Sequence, residues 1–369
     1  MIQPHFMDEA IALAEQAVGR CSPNPAVGAV LVKDGEVVGR GFHTWAGVKH
    51  AEILALEEAG EKAKGATLYI TLEPCSHHGR TPPCADALIA AGVARVITAM
   101  EDPNPLVGGR GIRRLRDAGV IVDSAPEFSG RAVALNEAFV HFMRTKRPLV
   151  TVKSAVTLDG KIAAPEDNGG WITSEKARNH VQVLRHRTDA ILTGIGTVLS
   201  DDCLLTDRSG VERSRPLLRI VMDSQLRIPL TSKMVASANN DLLVICTSAA
   251  SPTRRKALED AGVEVVALDG RDGRTDPRSV VSLLAERRYL SLMVEAGSKV
   301  NWAFFETGVA DKIYFYYAPK ILGGLQSLPV VGGAGRQRRK DALRFRNVKI
   351  HQLPPEEFAV EAWLNKDFS

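Results

Sequence analysis

The segment LEPCSHHGRTPPCADALIAAG, residues 72–92, places two cysteines nine positions apart. It continues the β-rich run ATLYITL, and Pro83 directly before Cys84 predicts that a helix begins there. Three interpretations of the pair are open at this point: a redox pair, two buried structural cysteines, or part of a metal site. Free cysteine often packs as a small hydrophobic residue, so the pair by itself does not indicate a metal.

The upstream sequence KHAEILALEEAG favours the metal site. His50 and Glu52 stand at the start of a predicted helix, and residues two apart on a helix point in different directions. One side chain can therefore bind a metal while the other reaches its bound water. The order H-x-E, then P-C, then C is that of the zinc deaminases, in which the glutamate carries protons. We therefore predict that His50, Cys75 and Cys84 bind one Zn²⁺ and that Glu52 is catalytic.

The spacing of the cysteines departs from that pattern. Zinc deaminases usually have P-C-x-x-C, whereas eight residues separate Cys75 from Cys84 here. The longer spacing predicts a looped insertion, SHHGRTPP, at the mouth of the site. His77 and His78 within it are open to three interpretations: additional metal ligands, substrate contacts or solvated side chains.

Hydrophobic patterns place this motif in an α/β domain. The dipeptide Asp34-Gly35 between two β-rich runs predicts a hairpin. After residue 50 helices and strands alternate, which predicts helices packed on both faces of a sheet. The patterns predict helices near 7–20, 50–60, 83–91, 109–118 and 130–144, and strands over 66–72, 94–100 and 120–123.

A second alternating series follows the charged stretch RTKRPLV (144–150). We predict two domains, 1–147 and 148–369, the second also α/β. The Gly-rich, basic stretch at 322–340 is predicted to be a long mobile loop. The patterns predict strands in LVTVKSAV, DAILTG, LRIVMDS, DLLVICTS, VEVVAL, LSLMVEAG and KIYFYYAP, and helices near 174–186, 252–261, 278–287 and 299–307.

Composition excludes several classes of protein. The net charge is +4 over 369 residues, with a balance of −1 up to residue 147 and +5 after it, so neither half carries the basic field of a nucleic-acid binder. No stretch approaches the roughly 18–20 apolar residues of a membrane span, and acidic residues interrupt the N-terminus where a signal peptide needs an apolar run. Five scattered cysteines, an odd number, fit a reducing compartment. We expect a cytoplasmic protein with no nucleic-acid or membrane partner.

Four stretches, HAEILAL, TLEPCSHHGRTPPC, SPNPAVGAV and EDPNPLVGGRG, resemble the bifunctional deaminase–reductases of riboflavin biosynthesis, the RibD or RibG family. The resemblance continues through VKSAVTLDGKIA, WITSEKAR, LTGIGTVLSDDCLLTDR and VEAGSKV, and so covers essentially the whole chain. It implies a cytidine-deaminase-like three-layer α/β/α domain followed by a dihydrofolate-reductase-like α/β domain. It also implies homo-oligomers formed through the reductase domain.

The resemblance further implies the reaction. The substrate would be a small phosphorylated pyrimidine, 2,5-diamino-6-(ribosylamino)pyrimidinone 5′-phosphate. The first domain would remove the amino group at C2 with zinc. The second would reduce the ribosyl side chain to ribityl with NADPH.

Site residues also follow from the resemblance. In the first domain Asn24 would contact the pyrimidine edge, Arg80 the phosphate or a ribose hydroxyl, and Asp102 and Asn104 the ribose or base. Asn24 is also open to interpretation as a turn residue between two prolines. In the second domain the predicted substrate residues are Arg185, Leu205, Arg208 and Glu295. The predicted NADPH-binding residues are Ala155, Trp171, Thr197, Asp201, Ser224, Gly297, Ser298, Lys299, Val300, Asn301, Trp302 and Ala303.

Physical arguments support some of these assignments. Arg185 and Arg208 suit a phosphate because the guanidinium fork matches its oxygens, although both could be solvated charges. Lys153 lies on an apolar strand and is a candidate catalytic residue that stabilises developing charge or protonates the sugar oxygen. Trp171 is equally interpretable as a core residue.

The second domain has no G-x-G-x-x-G after a strand, so a Rossmann fold is not indicated. The turn VEAGSKV instead offers backbone N–H groups to a pyrophosphate at the start of a helix. Two positions depart from the family pattern. Gly169 stands where a hydroxyl residue is frequent, and Cys203 stands where proline is common.

Two rival functions are weighed. A nucleic-acid-editing deaminase would need a basic groove and aromatic stacking residues, but aromatics are 5% of the chain. A zinc-stabilised interaction protein would need a closed site with four ligands, and only three are evident.

Overall fold

The computed structural model describes residues 2–44, 49–76, 83–105, 107–166 and 170–366. The chain divides into two units. The first comprises Met1–Lys146 with Glu212–Arg215, and the second comprises Arg147–Val211 with Pro216–Ser369. No helix in the described part is long and apolar enough to cross a bilayer.

The first unit alternates helices and strands as the patterns predict. Its strands are β1 (Gly28–Lys33), β2 (Glu36–Phe42), β3 (Thr67–Ile70), β4 (Arg95–Thr98) and β5 (Ile121–Ser124). Its helices are α1 (Pro4–Ala17), α2 (Ala51–Ala59), α3 (Cys84–Ala90), α4 (Arg110–Asp117), α5 (Pro126–Leu135) and α6 (Glu137–Thr145), with a 3₁₀ turn at Gly60–Ala63.

These strands form one five-stranded sheet in the order β2-β1-β3-β4-β5. The predicted hairpin at Asp34-Gly35 is confirmed: both residues have positive φ, 54° and 83°, and β1 and β2 pair antiparallel. Strands β3, β4 and β5 are parallel. Their carboxyl ends therefore meet at one edge of the sheet, where the loops that follow them lie side by side.

Glycines on β2 bring α2 into direct backbone contact with the sheet. A Cβ at Gly41 would lie 2.1 Å from the Ala51 carbonyl oxygen, and one at Gly39 would lie 2.1 Å from that of Ala55. The helix presents small, fully buried alanines to this contact. The close approach fixes the first turn of α2 and hence the direction in which His50 and Glu52 leave it.

The prediction of one helix near 130–144 is wrong, because α5 and α6 are separate helices that meet at Asn136. Asn136 lies between the two helices, and its side chain binds the backbone of Ala26. Its Oδ1 accepts the Ala26 N–H at 2.7 Å, and its Nδ2 donates to the Ala26 carbonyl at 2.9 Å. The break therefore anchors the loop that carries Asn24.

The second unit is built on a larger sheet. Its strands are β6 (Leu149–Thr157), β7 (Lys161–Ala163), β8 (Ala190–Gly194), β9 (Leu218–Met222), β10 (Leu242–Cys246), β11 (Glu264–Ala267), β12 (Ser291–Val294), β13 (Lys312–Ala318), β14 (Leu328–Pro329), β15 (Phe345–Leu353) and β16 (Glu357–Leu364). Its helices are α7 (Glu175–His186), α8 (Ile195–Asp201), α9 (Lys233–Ala236), α10 (Pro252–Asp260), α11 (Pro277–Glu286) and α12 (Ser298–Glu306), with 3₁₀ turns at Arg271–Gly273 and Arg339–Asp341.

Nine of these strands form a sheet in the order β11-β10-β9-β8-β12-β6-β13-β16-β15. The pairs from β11 to β13 are parallel, and β16 and β15 add antiparallel strands at one edge. The buried parallel strands read as continuous apolar runs, which is why the sequence predicts them well. The sequence patterns missed α8, α9 and the strands β7, β14, β15 and β16.

The stretch predicted to be a mobile loop, 322–340, packs against the domain over part of its length. Strand β14 pairs with β7, and the Gly332 N–H donates to the Ser298 carbonyl at 3.1 Å. A Cβ at Gly333 would lie 2.2 Å from the Trp302 ring. These glycines therefore allow close packing against the start of α12. The prediction had interpreted them as residues of a mobile loop.

Candidate active sites

Three metal-ligand side chains meet at the N-terminal ends of α2 and α3. His50 directly precedes α2, Cys84 begins α3, and Cys75 lies in the loop after β3. His50 Nδ1 lies 3.2 Å from Cys84 Sγ and 3.6 Å from Cys75 Sγ, and the three ligand atoms lie within 4.8 Å of one another. One imidazole and two thiols suit zinc and leave a fourth tetrahedral position open. The cluster can therefore hold one Zn²⁺.

The two thiols differ in their affinity for a proton. Hydrogen bonding from the Cys84 thiol, together with that from His50 and the Cys84 N–H, lowers the pKa of Cys75 to about 4. The Cys84 thiol donates to Cys75, and this bond with burial raises the pKa of Cys84. The pair alone thus holds one proton tightly. A divalent cation replaces that proton, because it binds both sulfurs as thiolates.

Glu52 lies beside the cluster in the first turn of α2. Its side chain is 4% exposed, and burial with the nearby Cys75 charge raises its pKa from 4.5 to about 7. Its carboxyl also interacts with the Cys84 thiol. A carboxyl group with a pKa near neutrality can both accept and release a proton, which suits general acid–base chemistry.

Asn24 is oriented by a histidine that the sequence patterns did not single out. His43 Nδ1 lies 2.8 Å from the Lys49 carbonyl, which can only accept, so Nδ1 carries the proton. His43 Nε2 is therefore an acceptor, and Asn24 Nδ2 donates to it at 3.0 Å. Burial lowers the pKa of His43, and its ring packs edge-on against His50 at 5.2 Å. Asn24 thus lies next to the metal-ligand cluster.

Asp102 and Asn104 lie in the loop after β4, beside the Cys75 segment. The Asp102 N–H donates to the Glu73 carboxylate at 3.1 Å, and the Asn104 N–H donates to Asp102 Oδ1 at 2.8 Å. Both residues are half-buried. The remaining predictions in this region, Arg80, His77 and His78, fall outside the described residues, as does Gly169 of the second unit.

In the second unit Lys153, Arg185 and Glu295 form a largely buried ion cluster. Arg185 binds Glu295 through two bonds, Nε to Oε1 at 2.9 Å and Nη2 to Oε2 at 3.0 Å. Lys153 Nζ donates to Glu295 Oε2 at 3.3 Å. Lys153 lies on β6 and Glu295 follows β12, the strand next to β6, so the sheet brings them together.

Each charged group in this cluster shifts the pKa of its neighbours. Burial alone would raise the pKa of Glu295, but the Lys153 and Arg185 charges outweigh it and hold the value at about 2. Burial lowers the pKa of Lys153, although Glu295 opposes the shift. A buried ammonium whose pKa is depressed releases its proton more readily than an exposed lysine does.

Several predicted NADPH residues lie at the carboxyl edge of the parallel strands. Thr197 is in α8, directly after β8, and Ser224 follows β9. A Cβ at Gly297, which follows β12, would lie 3.9 Å from Thr197 Oγ1. Ala155 is half-buried on β6, whereas Asp201 is exposed at the end of α8. Thr197 and Gly297 are thus directly adjacent.

The N-terminal end of α12 contains buried polar atoms that lack hydrogen-bond partners among the described residues. These are Ser298 Oγ, Asn301 Oδ1 and Trp302 Nε1. Gly297 is the N-cap and provides no side-chain cap. Ordered water or a bound group can satisfy such atoms, and the start of a helix suits an anion such as a pyrophosphate. Among the other predicted residues Lys299 is exposed, and Val300 and Ala303 are half-buried.

The remaining predictions lie around this region. The alternative that Trp171 is a core residue is wrong, because its side chain is 69% exposed and the Arg178 guanidinium lies 4.7 Å from its ring centroid. Leu205 is buried with φ 51°, a left-handed conformation that is costly for a bulky residue and that concentrates at functional sites. Arg208 is exposed, and its N–H donates to Gln182 at 2.9 Å.

Comparison with known proteins identifies the family. The model of the cytidine and deoxycytidylate deaminase zinc-binding region matches residues 2–100, and that of the RibD C-terminal domain matches residues 148–357. The riboflavin biosynthesis protein RibD of Actinobacillus pleuropneumoniae is 42% identical over 356 residues, which cover 96% of this chain and 94% of the relative.

Solved structures agree over nearly the whole chain. Acinetobacter baumannii RibD superposes with a TM-score of 0.87 at 36% identity, covering 98% of both chains. A Thermotoga maritima deaminase/reductase superposes with a TM-score of 0.80 at 35% identity, again covering 98% of both.

The chain belongs to the RibD family. Like other RibD proteins it is a bifunctional deaminase and reductase of riboflavin biosynthesis that acts on small phosphorylated pyrimidines. It combines a zinc-binding deaminase domain with a reductase domain of the NADPH-dependent type. The fold predicted from the RibD resemblance is thereby confirmed.

The RibD motifs did not point to His43, Glu73 or Asn136 as residues of the deaminase site. A signal was present for Glu73, because an acidic residue directly after a buried strand lies at the edge where loops meet. His43 likewise follows the end of β2. Asn136 carries no such signal, since it contacts the Asn24 loop across 110 positions of sequence.

The metal cluster yields a first prediction. We expect Cys84→Ser to lose most of its zinc, because a serine hydroxyl is a far weaker zinc ligand than a thiolate at neutral pH. Elemental analysis of dialysed protein measures the zinc-to-chain ratio. Cys246→Ser, which alters a buried thiol on β10, is the control and should retain zinc. A Cys84→Ser protein with unchanged zinc would contradict the assignment.

Proposed function

We propose that residues 1–147 hydrolyse the C2 amino group of 2,5-diamino-6-(ribosylamino)pyrimidinone 5′-phosphate, and that residues 148–369 reduce the ribosyl side chain of the product. The observation that carries the proposal is the convergence of His50, Cys75 and Cys84 beside the buried Glu52. The Thermotoga relative, named a diaminohydroxyphosphoribosylaminopyrimidine deaminase/5-amino-6-(5-phosphoribosylamino)uracil reductase, supports this substrate.

In the deamination step Glu52 moves the protons. Zinc held by His50, Cys75 and Cys84 supplies the Lewis acidity that makes hydroxide available near neutral pH. Glu52 accepts one proton from the attacking water and delivers it to the ring nitrogen. It then takes the second proton from the hydroxyl group added at C2 and delivers it to the departing amine, so that the C–N bond breaks and ammonia leaves as the carbonyl forms. Its pKa, raised to about 7 by burial, supports both transfers. In the described part of the chain the cluster has three ligands, as an open catalytic site requires.

The first domain orients the substrate through polar side chains around this centre. Asn24, whose Nδ2 donates to His43, presents its Oδ1 to the donor groups of the pyrimidine edge. Asp102 and Asn104 bind the ribose or base from the neighbouring loop. Arg80 binds the phosphate or a ribose hydroxyl, as its place in the insertion after Cys75 suggests.

In the reduction step a hydride would add to C1′ of the ribosyl group as the C1′–O4′ bond breaks, and Lys153 delivers a proton to the released sugar oxygen. NADPH supplies the hydride, and the protein supplies alignment. Glu295 holds Lys153 and Arg185 in place by ion pairs and itself contacts the substrate. Arg185, Leu205 and Arg208 complete the substrate site, with the two arginines toward the phosphate.

NADPH binds along the carboxyl edge of the parallel strands. The unsatisfied polar atoms of Ser298, Asn301 and Trp302 support placing it at the start of α12. The backbone N–H groups at 297–299 would hold the pyrophosphate end, because those of Val300 and Asn301 already donate to the Gly297 carbonyl; residues 300–303 would contact NADPH in other ways. The other proposed contacts are Ala155, Trp171, Thr197, Asp201 and Ser224.

The reductase domain forms homo-oligomers in this proposal. Strand β15 is the outermost strand of the nine-stranded sheet, and its Val348 and Ile350 side chains are 58% and 62% exposed. An exposed apolar edge strand favours association with a second copy. The protein acts in the cytoplasm, where the ligand thiols stay reduced.

Deamination provides the direct test of the first site. We expect wild-type protein to release ammonia from the diaminopyrimidine substrate, and Glu52→Gln to lose about 10²-fold or more in kcat because its proton carrier is gone. Zinc content should remain unchanged. NADPH oxidation with the deaminated intermediate supplied directly is the internal control and should also be unchanged. Near-normal ammonia release by Glu52→Gln would refute the assigned role.

Reduction provides the corresponding test of the second site. Methionine has a volume similar to that of lysine but has no group that can donate a proton. We therefore expect Lys153→Met to lower the rate of NADPH oxidation by about 10²-fold or more while ammonia is still released. NADPH fluorescence measures cofactor binding, which should persist. Lys176→Met on the exposed face of α7 is the matched control. Reductase activity that survives in Lys153→Met would exclude Lys153 as the proton donor.

A charged substitution on β15 tests whether two copies of the chain associate through this strand. We expect Ile350→Lys to shift the mass measured by sedimentation toward the monomer, because a buried unpaired lysine opposes the interface. Lys349→Arg on the same strand keeps the charge and should leave the mass unchanged. The proposed interface is wrong if Ile350→Lys sediments like wild type.

A further inference from the structure

The Glu73 carboxylate joins two segments of the deaminase domain, and the mechanism above does not use it. Glu73 stands two positions before Cys75, and its side chain is 4% exposed. Its oxygens accept four backbone N–H groups. Oε2 accepts from Asp102 at 3.1 Å and Gly109 at 2.9 Å, and Oε1 accepts from Gly111 at 2.8 Å and Ile112 at 3.2 Å.

Two of these bonds cap α4 from another segment of the chain. The first N–H groups of a helix lack partners within the helix, and a side chain at the N-cap usually satisfies them. The N-cap residue of α4 is Gly109, which has no side chain that could accept a hydrogen bond. The Glu73 carboxylate accepts these hydrogen bonds instead. A negative charge at a helix N-terminus is also favoured by the helix dipole.

Backbone contact holds α4 against the same segment. A Cβ at Gly111 would lie 1.9 Å from the Pro74 carbonyl oxygen. Only glycine permits this approach without a shift of the helix or of the Pro74 peptide. The start of α4 is therefore locked to the residue directly before Cys75 both by packing and by the Glu73 hydrogen bonds.

The network continues into the loop that carries the proposed substrate residues. Glu73 binds the Asp102 N–H, Asp102 Oδ1 binds the Asn104 N–H, and the Asn104 carbonyl accepts from Val107 and Gly108 at 2.9 Å each. A Cβ at Gly108 would lie 2.8 Å from the Asp102 carbonyl oxygen. The described residues of the loop are thus linked by hydrogen bonds to one another and, at one end, to the Glu73 carboxylate.

We infer that Glu73 is a positioning residue of the deamination step, which fixes Asp102 and Asn104 relative to the zinc ligand Cys75. One carboxylate thereby sets the distance between the groups that bind the substrate and the centre that reacts with it. The inference rests on the proposed function of Asp102 and Asn104. It assigns Glu73 no contact with the substrate or the metal.

Glu73→Gln tests the inference. The amide keeps the size of the side chain but replaces one acceptor oxygen with a donor, which cannot pair with backbone N–H groups. Loss of hydrogen bonds to a charged group predicts a rise of about tenfold or more in the KM for deamination, with kcat changing far less. Zinc content and NADPH oxidation with the supplied intermediate should match wild type. Glu36→Gln, an exposed change on β2, is the matched control.

Two further variants separate positioning from simple stabilisation. Glu73→Asp retains the charge with a shorter reach and should give a KM between those of wild type and Glu73→Gln. In a double-mutant cycle, Asp102→Ala should raise KM by itself and add little in the Glu73→Gln background, because both changes disable one loop.

The outcomes are distinguishable. The inference is wrong if Glu73→Gln leaves KM unchanged, or if the effects in the double-mutant cycle are additive. It is also wrong if both Glu73 variants lose zinc while reduction persists, because Glu73 would then only stabilise the start of α4. Absence of deamination in wild-type protein would instead refute the proposed function.

Discussion

The deaminase site depends on the direct contact between α2 and β2. Glycines at positions 39 and 41 leave no side chain between helix and sheet, so the Ala51 and Ala55 carbonyls lie where Cβ atoms would otherwise be. This close contact fixes how the start of α2 lies on the sheet. His50 therefore lies beside Cys84 at the start of α3, and Glu52 is buried beside the same cluster, so one turn positions both the proposed metal ligand and the proposed proton carrier.

The proposed reductase site is organised by one largely buried carboxylate. Glu295 is the counter-charge for both Lys153 and Arg185, each of which would be costly to bury alone. Since β12 lies next to β6, the sheet itself holds the carboxylate within reach of the lysine. Burial lowers the pKa of Lys153, and the Glu295 carboxylate opposes that shift, a balance that an exposed lysine does not experience.

The sequence was sufficient to predict those features that depend on local patterns. The hairpin at Asp34-Gly35, the buried parallel strands and the start of α3 after Pro83 all follow from turn chemistry and apolar runs. The ligand cluster was predictable because one histidine and two cysteines, residue types with distinctive chemistry, occur in a known order.

Features that depend on distant contacts were not predictable. Asn136 breaks a helix to bind Ala26, 110 positions away, and the sequence around it is apolar enough for one helix. Gly332 and Gly333 looked flexible, but they pack against residues of α12 that the local pattern could not reveal. Glu73 makes four backbone contacts from 29 to 39 positions away, which no side-chain motif encodes.

The unusual spacing of the cysteines still brings Cys75 and the start of α3 into direct contact. Although Cys75 and Cys84 are nine positions apart, the Cys84 N–H donates to Cys75 Sγ at 3.3 Å. The first N–H of α3 thus binds the sulfur of the preceding ligand, as it could in a motif where both cysteines share one turn.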